Sequence, residues 1–305
     1  MRLGFFTACF PQWDLAKVAA FAAEHGYRAL EVSAWPDDDR AFTATHLRVA
    51  DFGEADAEAT RELFERHGLE LSSIGFYDNN LHADPQQREG IHQHLRKTID
   101  AAALLGVPTV GTFIGRNPTA SVAANLAEAG PYFRDVADYA GERGVKIIIE
   151  NCVMEGWHPD LYPGNLAYSP ELWEWMFDLG LYLNYDPSHL MWIGIDPVAA
   201  VRPYVDKVLH AQAKDIQVFA DRRQRYGVFG KQVVRDDAWD TGWWRYRVPG
   251  RGDVDWRAVI DVLDEGGFDG VLSIEHEDPL WGGTDEKVIN GLEIAQRTLT
   301  PLIVP

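Results

Sequence analysis

A single (β/α)8 TIM barrel is the fold this sequence predicts, and three observations predict it. Short apolar runs of strand length alternate with helical patterns along the whole chain. The alternation gives eight strand and helix pairs in 305 residues, close to the roughly 250 usual for such a barrel plus one insertion. No GxGxxG opens a helix after the first strand, so an open doubly wound sheet lacks its main signal.

Each element has its own warrant. "RLGFFTACF" and "RALEVSAW" have the β-branched or aromatic content of strands, and between them "DLAKVAAFAAEHGY" starts on an N-capping Asp14 and ends on Gly26. "EADAEATRELFERHG" closes on Gly68 before the strand "ELSSIGFY". "QQREGIHQHLRKTIDAAALLG" closes on Gly106 before "TVGTFIG". The second half repeats the scheme, with strands at "VKIIIENC", "LYLNYDPSHL", "VLHAQAKDIQ" and "GVLSIEHEDP". Helices are expected near "SPELWEWMFDLG", "DPVAAVRPYVDK", "DWRAVIDVLDEGGF" and "TDEKVINGLEIAQRTL". Residues 1–305 thus read as one barrel domain, with an insertion at about 218–252 after the seventh strand. That position puts the insertion on the C-terminal face, where barrel enzymes keep their chemistry. Its Arg and Trp content suits a lid or a partner surface.

Composition narrows the partners. A formal net charge of -19 argues against a nucleic acid, which needs a basic face to replace phosphate counterions, and against an anionic membrane. A neutral sugar is not excluded. The two cysteines, Cys9 and Cys152, form no CxxC and fit a reduced, cytoplasmic compartment. The N-terminal apolar patch is broken by Thr7 and Pro11, too short for a signal segment, and no later run is long enough to span a bilayer.

Strand ends carry the chemical information. The fifth strand ends in Glu150, the sixth in Asp186 and the eighth in Glu275, so three carboxylates terminate three apolar strands. In a barrel these ends converge on one cup, where uncompensated carboxylates lose solvation and repel one another. A divalent cation removes that conflict, and hard oxygen donors favour Mn²⁺, Mg²⁺ or a similar ion over a structural zinc. The seventh strand adds His210, Gln212 and Lys214 on one face, with Leu209, Ala211 and Ala213 on the other.

The motifs "IIIENC", "NYDPSHLMWIGIDP", "HAQAKD", "VPGRGDVDW" and "LSIEHEDP" resemble the sugar phosphate isomerase/epimerase family, the xylose-isomerase-like barrels, over nearly the entire chain. The resemblance implies a divalent ion (Mn²⁺ first, with Mg²⁺ or Co²⁺ as alternatives) held by Glu150, Asp186, position 212 and Glu275. It implies that Glu150 and Glu275 transfer protons and that His189 contacts a substrate oxygen. The sequence departs from the family at one ligand, where the second His of His-x-His-x-Lys-Asp is Gln212. Its amide oxygen either ligates directly or holds a water.

Such a site supports isomerisation or epimerisation of a sugar by proton abstraction next to a carbonyl. The same chemistry also serves β-elimination from 3-oxo-glycosides, as in the family's branch acting on C-glycosides. A non-catalytic sugar-binding or scaffold subunit is the third reading, kept open by Gln212. Further candidates for substrate contact are His210, Lys214, Thr112 and Arg251, the last serving either a substrate phosphate or an Asp. His158 and Cys152 read as structural. An oligomer is expected, including one with a second, different subunit.

Overall fold

Eight parallel strands close on themselves in the computed structural model of the chain, which describes residues 1–38, 43–235, 237 and 240–303. The barrel strands are β1 (Arg2–Phe6), β2 (Ala29–Ser33), β3 (Glu70–Gly75), β4 (Thr109–Thr112), β5 (Lys146–Glu150), β6 (Tyr182–Tyr185), β7 (Val208–Ala213) and β10 (Val271–Ile274). They neighbour one another in chain order, and β10 pairs with β1 in the register Phe5↔Ile274 to close the ring. The remaining two, β8 (Asp215–Val218) and β9 (Trp244–Arg247), form a separate antiparallel pair.

Ten helices accompany the strands among the described residues: α1 (Leu15–Glu24), α2 (Glu54–His67), α3 (Pro85–Leu105), α4 (Val122–Gly141), α5 (Pro170–Phe177), α6 (Ser188–Trp192), α7 (Pro197–Val201), α8 (Ala220–Tyr226), α9 (Trp256–Glu265) and α10 (Asp285–Leu299). Their ends follow the capping chemistry in the sequence. The Asp14 side chain accepts from Lys17 N at 2.8 Å to start α1, and Gly68 and Gly106 adopt left-handed conformations that close α2 and α3. Sequence patterning alone left α4 unbounded; it starts on a Ser121 cap and carries Pro131 in its interior. No helix among the described residues is long and apolar enough to cross a membrane.

The two faces of the sheet differ in chemistry. Leu30, Val32, Ile74, Val110, Ile147, Ile149, Leu183, Ala211, Leu272 and Ile274 are buried in one apolar cluster with helix residues such as Val18, Leu95 and Phe133. Each larger aliphatic side chain buried this way is worth roughly 1.5–3 kcal/mol. The other face is polar. Gln212 in β7 bonds to Glu31 in β2, and His210 in β7 bonds to Ser72 in β3, although neither pair of strands is adjacent. Such bonds can only cross the barrel lumen.

Two expectations are corrected here. "VLHAQAKDIQ" is not one strand: β7 stops at Ala213, and Asp215–Val218 pairs with β9 instead. The antiparallel pair that starts at Asp215 leads into the segment read as the insertion at about 218–252. The cause is the Asp215 carboxylate, which accepts from Ile216 N, Gly250 N, Val254 N and Trp256 Nε1 at 2.8–3.1 Å and so ties the entry of the insertion to its exit. Gly252 is required beside it, because a Cβ would run into Asp215 Oδ1 and the Ile216 carbonyl. Likewise "LYLNYDPSHL" ends its strand at Tyr185, and Asp186 Oδ1 accepts from Ser188 N at 2.8 Å to turn the chain into α6.

Candidate active site

The three strand-end carboxylates do meet. One oxygen each from Glu150, Asp186 and Glu275 lies within 4.8 Å of the others. Glu150 and Asp186 are buried, and Asn151 fixes their strand ends by donating from Nδ2 to Asp186 O and accepting from Asp186 N, both at 2.8 Å. The Lys214 ammonium sits among them, 2.8 Å from Glu275 Oε2, 3.2 Å from Glu277, 3.3 Å from Asp186 Oδ2 and 4.0 Å from Glu150.

Burial dominates the electrostatics. It pushes the Glu275 carboxyl up to about 8, with Lys214 opposing the rise and Glu277 and Asp186 adding to it. Glu150 is raised well above the carboxylate range by burial and then by Glu275, and Asp186 is raised by burial against the pull of Lys214. Burial alone would lower Lys214, but Glu275, Glu277, Asp186 and Glu150 hold it well above the usual lysine value, so it stays charged.

His189, at the start of α6, faces the same point, its Nε2 3.2 Å from Glu150 Oε1 and 3.4 Å from Asp186 Oδ2. Burial and Lys214 hold the ring neutral. With Nε2 facing carboxylates, the network assigns its proton there, and Nδ1 accepts from Tyr246 Oη at 3.0 Å. Tyr246 belongs to β9, so the insertion supplies part of the cup. Its ring also lies 4.8 Å from Lys214 Nζ.

Beneath the cup lies a second polar layer. Gln212 Nε2 donates to both Glu31 oxygens at 3.2 Å, Tyr77 Oη donates to Glu31 Oε1, and Asn184 Nδ2 donates to Tyr77 Oη at 2.7 Å. Burial pushes Glu31 up to about 7, against the hydrogen bonds from Tyr77 and Gln212. Gly75 and Gly111 leave the space that the Tyr77 ring fills. His210 sits deeper, between Asn184 Oδ1 and Ser72 Oγ, both at 3.1 Å.

The residues fit a divalent cation. Glu150 Oε1, Asp186 Oδ2 and Gln212 Oε1 are buried oxygens without a donor in hydrogen-bonding alignment. Four carboxylates, those of Glu150, Asp186, Glu275 and Glu277, face one ammonium, which leaves negative charge for a cation to balance. Cys152 also lies within 4.8 Å of Glu150 and His189, but burial and Glu150 hold its thiol well above its ordinary value, which makes it a poor ligand.

Other sequence candidates fall outside this point. His210 has both ring nitrogens engaged below the cup and none left for substrate. Thr112 is buried at the end of β4, where its hydroxyl accepts from Asn80 Nδ2 at 3.1 Å. Arg251 stays on the exposed turn after β9. His158 is a loop histidine that accepts from Asp160 N. Trp243 and Trp244 are buried as the insertion's own core, Trp244 stacked on Trp192 with centroids 4.7 Å apart; Trp239 lies outside the described residues. Sequence reasoning missed Glu31, Tyr77, Glu277 and Tyr246. The signal for Glu31 was available, since a Glu inside "RALEVSAW" interrupts an apolar strand.

A closed parallel barrel with a buried, oxygen-rich cup at its C-terminal strand ends defines an enzyme-type barrel built for charged chemistry. The chain belongs to the xylose isomerase-like TIM barrel family, whose model matches residues 19–297. It is 27% identical over 312 residues to the uncharacterized protein YfiH of Bacillus subtilis (strain 168), covering 91% of this chain and 93% of that one. It is also 35% identical over 99 residues to an inosose dehydratase of Clostridium tetani, covering 32% of this chain and 30% of the dehydratase. Among solved structures, IOLI protein with a binding zinc atom superposes with a TM-score of 0.73 at 17% identity, covering 100% of both chains. The 3-keto-D-glucoside 4-epimerase YcjR of E. coli gives 0.67 at 14% identity, covering 99% of this chain and 98% of that chain.

Proposed function

We propose that this protein is a divalent-metal-dependent sugar isomerase or epimerase that moves a proton at a carbon next to a carbonyl. The observation that carries the reading is the convergence of Glu150, Asp186 and Glu275 together with buried oxygens that have no aligned donor. Glu150, Asp186, Gln212 and Glu275 would hold the cation, Mn²⁺ first with Mg²⁺ or Co²⁺ as alternatives, an all-oxygen donor set being unlike that of a structural zinc. Bound there, it supplies Lewis-acid stabilisation of negative charge developing on the substrate.

The chain's own residues do the rest. Glu150 and Glu275 enter the cup from strands separated by β6 and β7, so they approach a bound sugar from different sides. One removes the proton next to the carbonyl and the other returns it. His189 donates from Nε2 to a substrate oxygen, oriented by Tyr246. Lys214 keeps the carboxylates from repelling one another when substrate enters.

Elimination is the second reading, favoured by the stretch similar to an inosose dehydratase. The same abstraction then expels a β-substituent from a 3-oxo sugar or glycoside. The test is to incubate the Mn²⁺-loaded protein in D₂O with free ketoses and with 3-oxo-glucosides, and to follow products by NMR and mass spectrometry. Deuterium next to the carbonyl of an isomerised or epimerised sugar is the expected result. Loss of the β-substituent from the 3-oxo pool establishes elimination, and no exchange in either pool overturns both readings.

A further inference from the structure

Gln212 lies in β7, two residues before Lys214, and bonds to the lower polar layer. Its Nε2 is engaged by Glu31 below, while its Oε1 is buried without a donor. An amide has a donor end and an acceptor end that differ little in shape, so an isolated Gln chooses its orientation only through its partners. Glu31 already accepts from Tyr77 Oη at Oε1, so it meets Gln212 as an acceptor. With both Glu31 oxygens 3.2 Å from Nε2, the nitrogen must face Glu31 and the oxygen must turn away.

We propose that Glu31 is a positioning residue that orients the Gln212 amide, so that Oε1 completes an all-oxygen donor set for the divalent cation. The inference rests on the metal reading above. Glu31 is well placed for this because it is itself held. Tyr77 donates to its Oε1, Asn184 donates to Tyr77, and Asn184 Oδ1 meets His210, which bonds to Ser72. A residue held at the end of a chain of four side chains across the lumen does not swing to follow the amide. Outer partners of this kind fix which atom a ligand presents to a metal. Here the outcome is an oxygen donor at position 212, and with it a preference for hard cations.

The test is calorimetric titration of the metal-stripped full chain with Mn²⁺ and, separately, Zn²⁺. Glu31→Gln offers Gln212 a donor as well as an acceptor, and Mn²⁺ affinity is expected to fall roughly 10–100-fold. Gln212→Ala is expected to lose a similar factor, and Glu31→Gln added to it is expected to cost nothing more. A purely structural role would not produce that non-additivity. Wild-type affinity in Glu31→Gln, or losses that add in full, overturns the proposal and leaves the metal reading standing. A wild-type chain that binds neither ion overturns both. Should Glu31→Gln fail to fold, Gln212→His decides: an imidazole donating to Glu31 raises the Zn²⁺ to Mn²⁺ affinity ratio at least about tenfold, and an unchanged ratio overturns the proposal.

Discussion

Two layers of the barrel lumen, one above the other, handle buried polar groups in opposite ways. In the lower layer Glu31, Tyr77, Asn184, His210 and Ser72 satisfy one another across the barrel. In the upper layer Glu150 Oε1, Asp186 Oδ2, His189 Nε2 and Gln212 Oε1 have no aligned partner. A buried unsatisfied polar atom costs about 1–3 kcal/mol, and in the cup the Lys214 ammonium, 3.3 Å from Asp186 Oδ2, offsets only part of that. The contrast teaches how to separate scaffold from site: both layers are polar and buried, and only the pairing distinguishes them.

The largest effect that sharpens this contrast belongs to Glu275. Glu275→Gln keeps the shape and removes the proton-transfer group, so solvent deuterium exchange on the substrate should slow by about 10²–10⁴-fold. The thermal unfolding midpoint should move little by comparison, because the upper layer is not what holds the barrel. A variant that exchanges deuterium at the wild-type rate removes Glu275 from the chemistry.

His210 supplies the opposite case. His210→Ala leaves Asn184 Oδ1 and Ser72 Oγ without their partner and opens a cavity, at a combined cost of roughly 2–4 kcal/mol. Chemical denaturation should show that loss, while Mn²⁺ affinity measured on the folded protein falls far less than in Glu31→Gln, because Tyr77 still donates to Glu31. A collapse of affinity with stability intact would merge the two layers into one site.

Much of this was legible in the sequence. Glu150, Asp186 and Glu275 stood out because each closes an apolar strand, and strand ends share one rim in a barrel whatever their distance along the chain. His210 and Gln212 shared a face by strand periodicity, but periodicity does not say how deep a residue lies, and His210 proved to be engaged below the cup. Tyr246 was not legible. It reaches His189 through an insertion whose path depends on the Asp215 clasp and the close approach at Gly252, and a loop has no period to read. The break of the seventh strand at Lys214 was hidden for the same reason, since Asp215 turns the chain with a side chain whose partners lie 35–41 residues away.

The smallest effect tests the boundary of the upper layer. Arg251 sits in a motif shared with the family resemblance, "VPGRGDVDW", and its charge suits a substrate phosphate. Its position argues otherwise: the side chain is exposed, whereas the glycine after it is the residue packed against Asp215 and Ile216. On this geometry Gly252 serves the turn, and the exposed Arg251 is expected to be dispensable to the cup. Arg251→Ala should change stability by no more than about 0.5 kcal/mol, as exposed substitutions usually do. Mn²⁺ affinity and deuterium exchange should be unaltered, while Gly252→Ala should unsettle the insertion and slow exchange through Tyr246. If Arg251→Ala instead raises KM for a phosphorylated ketose and not for the unphosphorylated sugar, the cup extends over the turn and the insertion is part of the substrate site well beyond Tyr246.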